Sequence, residues 1–219
     1  MKSVGDILRA APKMLVPVLH AYQRRLQRYG TTARGVFWKN TEWQHRRYVI
    51  LERVFDDLAQ AGGQTVLDFG CGYGSLFDYL ADHPVLRHGR YIGADMCQDM
   101  IDAARARIDD PRASFVRAIA ATEEVDYTLV SGTYNMHLGA DVAEWDSYIK
   151  ASLKQLWRHS RHGLAFNMLS RNADEQYDGL YYTDPDDYLA FTREYFSTHA
   201  ELIIEPPLPD FTIIVRRDA

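Results

Sequence analysis

Cysteine is scarce in this chain, which has only Cys71 and Cys97. Two thiols cannot build a disulfide framework, so both read as reduced side chains of a cytoplasmic protein. Nor can they close a structural zinc site, and the eight histidines do not group with carboxylates at ligand spacing, so no metal is expected. Long apolar runs are missing as well. Leu8, Leu15, Val16, Val18 and Leu19 are interrupted by Asp6, Arg9 and Lys13, with no small-residue cleavage site after them. Nothing approaches the ~20 apolar residues that span a bilayer, so neither a membrane segment nor a signal peptide is expected. Clustered positive charge is absent too. The net charge is −5, and no basic run exceeds the pairs Arg24-Arg25 and Arg46-Arg47. A phosphate-backbone grip on nucleic acid needs many gathered cations, so no nucleic-acid partner is expected.

What is present is enough apolar material for one sizeable core: 47% hydrophobic and 12% aromatic residues over 219 positions. There is no internal repeat or low-complexity linker. Residues 1–41 read as a helical N-terminal addition, a lid over the site or an arm in a homodimer, and residues 42–219 as the main domain. Within the addition, Val4 to Tyr29 has helical spacing, but Pro12 and Pro17 predict two short helices rather than one. A loop follows from Gly30 to Asn40, then a helix from Glu42 to Ala61 that stops at Gly62-Gly63. Strands and helices then alternate. Strands are expected at Thr65–Phe69, Arg90–Ala94, Ala113–Arg117, Tyr127–Ser131 and Gly163–Leu169, with helices at Ser75–Ala81, Gln98–Ile108, Glu144–His159 and Pro185–Phe196. Ala200–Glu205 and Phe211–Arg216 complete the pattern as an antiparallel hairpin at the sheet edge. The fold class is α/β: a doubly wound, mostly parallel seven-stranded sheet with an antiparallel edge strand.

Chemistry concentrates after the first strand, in Val66-Leu67-Asp68-Phe69-Gly70-Cys71-Gly72-Tyr73-Gly74. Its three glycines let backbone pass close to a ligand where a β-carbon would collide. The helix behind them offers unpaired N–H groups. Roughly twenty residues on, Asp95 ends the second strand, where a carboxylate accepts hydrogen bonds from both hydroxyls of a ribose. Two kinds of nucleoside ligand compete for such a site. A dinucleotide loop reads G-x-G-x-x-G, which Gly70-Cys71-Gly72-Tyr73-Gly74-Ser75 does not. Asp68 would also repel a pyrophosphate, whereas it would welcome an amino group.

The loop, together with Gly93-Ala94-Asp95, resembles the class I S-adenosylmethionine-dependent methyltransferases, in strand order over residues 42–217. That resemblance implies a Rossmann-like catalytic domain over residues 42–219, S-adenosylmethionine as cofactor and S-adenosylhomocysteine as product. It assigns Asp68 to the loop and the methionine amine, Gly70, Cys71 and Gly72 to the methionine portion, Asp95 to the ribose and Met96 to the adenine face. A narrower likeness, to small bacterial methyltransferases of unassigned substrate, rests on Tyr29-Gly30-Thr31-Thr32-Ala33-Arg34-Gly35-Val36-Phe37-Trp38, Gln44 and Ser131-Gly132-Thr133-Tyr134-Asn135. In such enzymes the N-terminal segment folds over the cofactor, which makes Tyr29, Arg34, Gln44 and Arg47 candidates for its carboxylate and sulfonium surroundings, while Ser131, at the end of the fourth strand, is a further cofactor-binding candidate. One departure stands out. Family members often place an acid after the third strand for the adenine amine, but here Val116-Arg117-Ala118-Ile119-Ala120-Ala121 carries none, and Glu123 and Glu124 come later.

The reacting end should face the residues after the fourth strand, where Tyr134, Asn135 and His137 are candidates, His137 as general base. Tyr177, Tyr181, Tyr182 and Asp184 form a candidate roof for a planar or cationic substrate, with Tyr182 nearest the chemistry. The motif Asn- or Asp-Pro-Pro-aromatic, associated with nucleobase amines, is absent. The expected reaction is methyl transfer to an oxygen, nitrogen or carbon of a small molecule, in specialised metabolism or glycan modification. Two alternatives remain open at this point: attack on the methionine portion of the cofactor, releasing methylthioadenosine, and a non-catalytic binding protein with this fold.

Overall fold

The computed structural model describes residues 3–217; the outermost positions of the two expected segments, 1–2 and 218–219, lie outside them. Helix α1 (Val4–Tyr29) leads through a 3-10 turn (Ala33–Val36) to α2 (Thr41–Leu51), a second 3-10 turn (Glu52–Val54) and α3 (Asp57–Ala61). Then come β1 (Thr65–Phe69), α4 (Ser75–Leu80), β2 (Arg90–Asp95), α5 (Gln98–Arg107), β3 (Ala113–Arg117) and β4 (Val125–Val130). The chain closes with α6 (Val142–His159), β5 (Ser160–Ser170), β6 (Tyr182–Thr183), α7 (Pro185–Tyr195), β7 (Glu201–Ile204) and β8 (Asp210–Arg216).

The strand order is β3-β2-β1-β4-β5-β8-β7, with the two-residue β6 beside the end of β5. β1 to β5 run parallel. The terminal hairpin supplies the antiparallel element: β8 is antiparallel to both β5 and β7. β8 takes the inner place because Phe211, Ile213, Ile214 and Val215 are buried on both of its faces, whereas β7 exposes Glu201 and Ile204 and forms the margin. Side-chain alternation sends Leu67, Phe69, Ile92 and Phe166 toward a layer containing α1, α6 and α7. Val66, Tyr91, Tyr127 and Ala165 face the opposite layer, with α2, α4 and α5. The strand order reverses between β1 and β4, so a crevice opens there at the carboxyl ends of the strands.

Two expected elements differ. α1 is one helix of 26 residues with Pro12 and Pro17 inside it. Both prolines sit on its exposed face, while Ala11, Leu15, Val18 and Ala21 form a buried stripe against the core. Tertiary burial of that stripe outweighs the two lost backbone hydrogen bonds. The expected helix at 42–61 instead breaks at Phe55, whose backbone is extended (ψ 130°). Arg216, far along the chain, donates to the carbonyls of Arg53 and Val54, which a continuing helix would need. The Phe55 ring packs edge-on against Tyr127, 5.1 Å between centroids.

Candidate active site

β1 carries Asp68 into the α2 and α4 layer, where it is 2% exposed and accepts a 2.5 Å hydrogen bond from the Tyr91 hydroxyl. Burial pushes its carboxyl up to about 7; the Tyr91 hydrogen bond opposes that shift and the nearby Asp95 adds to it. The chain then turns through Gly70 and Gly72, both at positive φ (82° and 53°). A β-carbon on Gly70 would lie 2.2 Å from Thr133 Oγ1, and that hydroxyl already donates to the Phe69 carbonyl at 2.8 Å. The loop is therefore pressed against the end of β4, which requires glycine here for both space and conformation. Asp95 fixes the other side. Its carboxylate accepts from the Gly72 N–H at 2.9 Å and from the Cys97 N–H at 2.8 Å. Burial raises the Asp95 carboxyl, while those backbone donors pull it down.

Loop and carboxylate open into a cleft of about 1090 Å³. Ligand pockets run to roughly 300–1,000 Å³, so this one has room for a cofactor together with a second small molecule. Leu15, Val18 and Tyr22 of α1 roof it beside Asp95 and Met96. From α2, Gln44 donates to Ser75 Oγ at 2.8 Å and the Tyr48 hydroxyl meets the same atom at 2.5 Å. Arg47 makes a buried fork with Asp210 at the start of β8, at 2.6 and 2.7 Å, and donates a third bond to the Trp43 carbonyl at 2.6 Å. The Trp38 ring lies 4.4 Å from its guanidinium. On its other side, Trp38 fills the space a β-carbon on Gly132 would need, 2.6 Å away.

Of the residues expected from sequence, Gln44, Arg47, Asp68, Gly70, Cys71, Gly72, Asp95, Met96, Ser131, Asn135 and Tyr182 line this one cleft. Four do not, and for each the structure gives a reason. Tyr134 points into the core, where its hydroxyl meets Ser152 Oγ at 2.7 Å and its carbonyl accepts from the Trp145 indole at 3.0 Å. His137 folds back on its own loop, Nδ1 lying 3.1 Å from the Ala140 carbonyl. Tyr29 and Arg34 stack on each other outside the cleft, 5.0 Å from ring centroid to guanidinium. Within the expected roof, Tyr181 turns inward to donate to Asp146, and Asp184 caps α7; Tyr177 and Tyr182 remain at the cleft. Arg47 reaches the cleft but has its fork occupied by Asp210.

Sequence reasoning missed Trp38 and Trp43 as walls, and Leu15, Val18 and Tyr22 as the roof. The signal available was two tryptophans in a short stretch flanking a polar loop, and an α1 stripe with no partner of its own. The acidic residues after β3 do not reach the cleft. Glu123 pairs with Arg90 and Glu124 with Arg161 at the surface, while Ala118 and Ile119 line the cleft in their place.

The residues present suit S-adenosylmethionine. Among the described residues no cation faces the buried Asp68 carboxyl, a setting that calls for an ammonium; Gly70 and Gly72 border the cleft without side chains of their own, and Ser131 Oγ is buried in the cleft wall with no hydrogen-bond partner among the described residues. A methyltransferase-domain family model matches residues 66–163. A provisionally named methyltransferase of Mycobacterium tuberculosis is 35% identical over 156 residues, covering 70% of this chain and 93% of that protein. Among solved structures, the magnesium protoporphyrin IX methyltransferase of Synechocystis PCC 6803 with bound S-adenosylmethionine has the same fold, with TM-score 0.58, 14% identity and 81% of each chain covered. So does the S-adenosylmethionine-bound amino pentose methyltransferase CalS10 of Micromonospora echinaspora, with TM-score 0.57 and 13% identity over 80% of this chain and 92% of that one. The chain belongs to the class I S-adenosylmethionine-dependent methyltransferases.

Proposed function

We propose that the chain methylates an oxygen, nitrogen or carbon of a small molecule held in the aromatic half of the cleft. The observation that carries this reading is continuity. The cavity runs from the glycine turn, past Ser131 and Asn135 at the carboxyl end of β4, to a wall of Trp38, Trp43, Tyr177, Tyr182 and Leu208. Aromatic faces suit a planar ring, a sugar or a cation.

S-adenosylmethionine, when bound, supplies an activated methyl group. Asp68 would take its ammonium, Asp95 its ribose hydroxyls, and Met96, Ala118 and Ile119 would flank the adenine, whose edge is left to backbone groups. Asn135 is fixed for an acceptor contact by the Leu169 N–H, which donates to its side-chain oxygen at 3.2 Å. The Tyr182 hydroxyl accepts from the Tyr177 N–H at 3.0 Å, keeping its own hydrogen for a ligand. With Tyr134 in the core and His137 turned away, the rate comes from holding the nucleophile in line.

The test is transfer of labelled methyl from S-adenosylmethionine to a panel of small hydroxy, amino and carbon acceptors. Labelled product together with S-adenosylhomocysteine supports the proposal. Methylthioadenosine as the released nucleoside would assign the site to attack on the methionine portion instead.

A further inference from the structure

The segment around Tyr29 and Arg34, which lies outside the cleft, gathers positive charge beside it. The guanidinium carbons of Arg25, Arg28 and Arg34 lie 4.3, 5.2 and 5.0 Å from the centroid of one ring, that of Tyr29. Arg25 is a staple. It also covers Phe37 at 4.6 Å and donates from Nε to the Arg34 carbonyl at 2.8 Å. Arg28 and Arg34 are exposed, direct no side-chain hydrogen bond to any described residue, and lie over the ring. Arg53, Arg90, Arg107 and Arg161 each have a carboxylate within 3 Å, whereas the other exposed arginines with no ion pair or side-chain hydrogen bond to a described residue, Arg24, Arg46, Arg87 and Arg158, do not gather around one ring.

The turn that carries Arg34 is rigid. A β-carbon on Gly35 would lie 2.1 Å from the Gly30 carbonyl, and Thr32 bonds both the Tyr29 carbonyl (3.0 Å) and the Gly35 N–H (3.3 Å). Arg28 alone would be explained by the helix C-terminus, which favours a cation. Three guanidinium groups around one ring repel each other and call for an anion. The guanidinium groups of Arg28 and Arg34 make no side-chain hydrogen bond to a described residue, so their N–H donors are available in the fork geometry that matches phosphate oxygens. The patch adjoins the cleft through Phe37, which lines the cavity and meets the Tyr22 ring at 5.2 Å.

We propose that Arg28 and Arg34, backed by Arg25, form a binding site for a phosphate or diphosphate group. The group belongs either to a molecule that also enters the cleft or to a separate anion. The site does not depend on the acceptor reading above.

The experiment is calorimetric titration of the full chain with inorganic pyrophosphate at low ionic strength, alongside S-adenosylhomocysteine. Wild type is compared with the double variant Arg28→Gln/Arg34→Gln and with Arg90→Gln as a control for loss of surface charge. The expected result is saturable pyrophosphate binding that weakens by at least about tenfold in the double variant and is unchanged in the control. S-adenosylhomocysteine affinity should be the same in all three proteins. A second titration with uridine diphosphate glucose distinguishes the sources. Tighter binding than pyrophosphate, with a tryptophan fluorescence change that Trp43→Phe abolishes, places the group on a cleft ligand. Equal affinity without that change indicates a separate anion. No saturable binding, or equal binding by the double variant, overturns the site. Saturable pyrophosphate binding by a wild-type protein that does not bind S-adenosylhomocysteine would count against the cofactor assignments alone.

Discussion

Asp68 is neutral or charged according to what lies beside it, because its carboxyl titrates at about 7 rather than at 3.8. A raised carboxyl stabilises the ligand-free fold in its protonated form, a contribution complete below about pH 4 and lost as the pH rises through about 7. An ammonium ligand selects the charged form, so the dependence of binding runs the other way. Between about pH 5.5 and 7.5, S-adenosylhomocysteine affinity should rise with pH, approaching a tenfold loss per unit on the acid side, as measured by calorimetry. Asp68→Asn should flatten that profile while keeping the fold; an unaltered profile would remove Asp68 from the ammonium site. Gly70→Ala should abolish ligand binding through strain at φ 82° and the overlap with Thr133, read by the same titration. The loop and its two aspartates were legible in the sequence because they follow from local spacing along one strand-turn-helix-strand unit. The roles expected of Tyr134, His137, Tyr29 and Arg34 were not. Which way a loop side chain points depends on neighbours such as Ser152, Ala140 and Arg25, which spacing does not reveal.

Among the elements, the parallel strands were readable as short apolar runs because both of their faces are buried. α1 was misread because proline is a local rule and its stripe of Ala11, Leu15, Val18 and Ala21 a tertiary one. Since both prolines face outward and each forfeits a backbone hydrogen bond, Pro12→Ala and Pro17→Ala should each stabilise the protein. The gain should be up to about 3 kcal/mol, reduced by the greater freedom of the unfolded chain, and visible as a higher Tm. The break at Phe55 was invisible for the same reason as the continuity of α1. Its cause, Arg216, comes from the last strand.

Across the whole molecule, the Arg47 and Asp210 pair ties the N-terminal region to β8 beneath Trp38, with both side chains at most 3% exposed. Removing one partner leaves a buried charge unpaired. Asp210→Ala should therefore cost about 3–5 kcal/mol in denaturant unfolding, whereas the double change Arg47→Met/Asp210→Leu should cost much less. Equal losses would mean that the pair is not the constraint. The α/β architecture itself was legible, because alternation of strand and helix admits few topologies. The walls of the aromatic half of the cleft were not, since Trp38, Trp43, Tyr177 and Leu208 come from three distant parts of the chain.

The most direct measurement is calorimetric titration of the wild-type protein and Asp95→Ala with S-adenosylhomocysteine, with NAD as the control ligand. The account predicts tight binding of S-adenosylhomocysteine alone, weakened in Asp95→Ala by at least about tenfold, or ~1.4 kcal/mol. Absence of binding in the wild type, or an Asp95→Ala variant that binds as tightly, would contradict it.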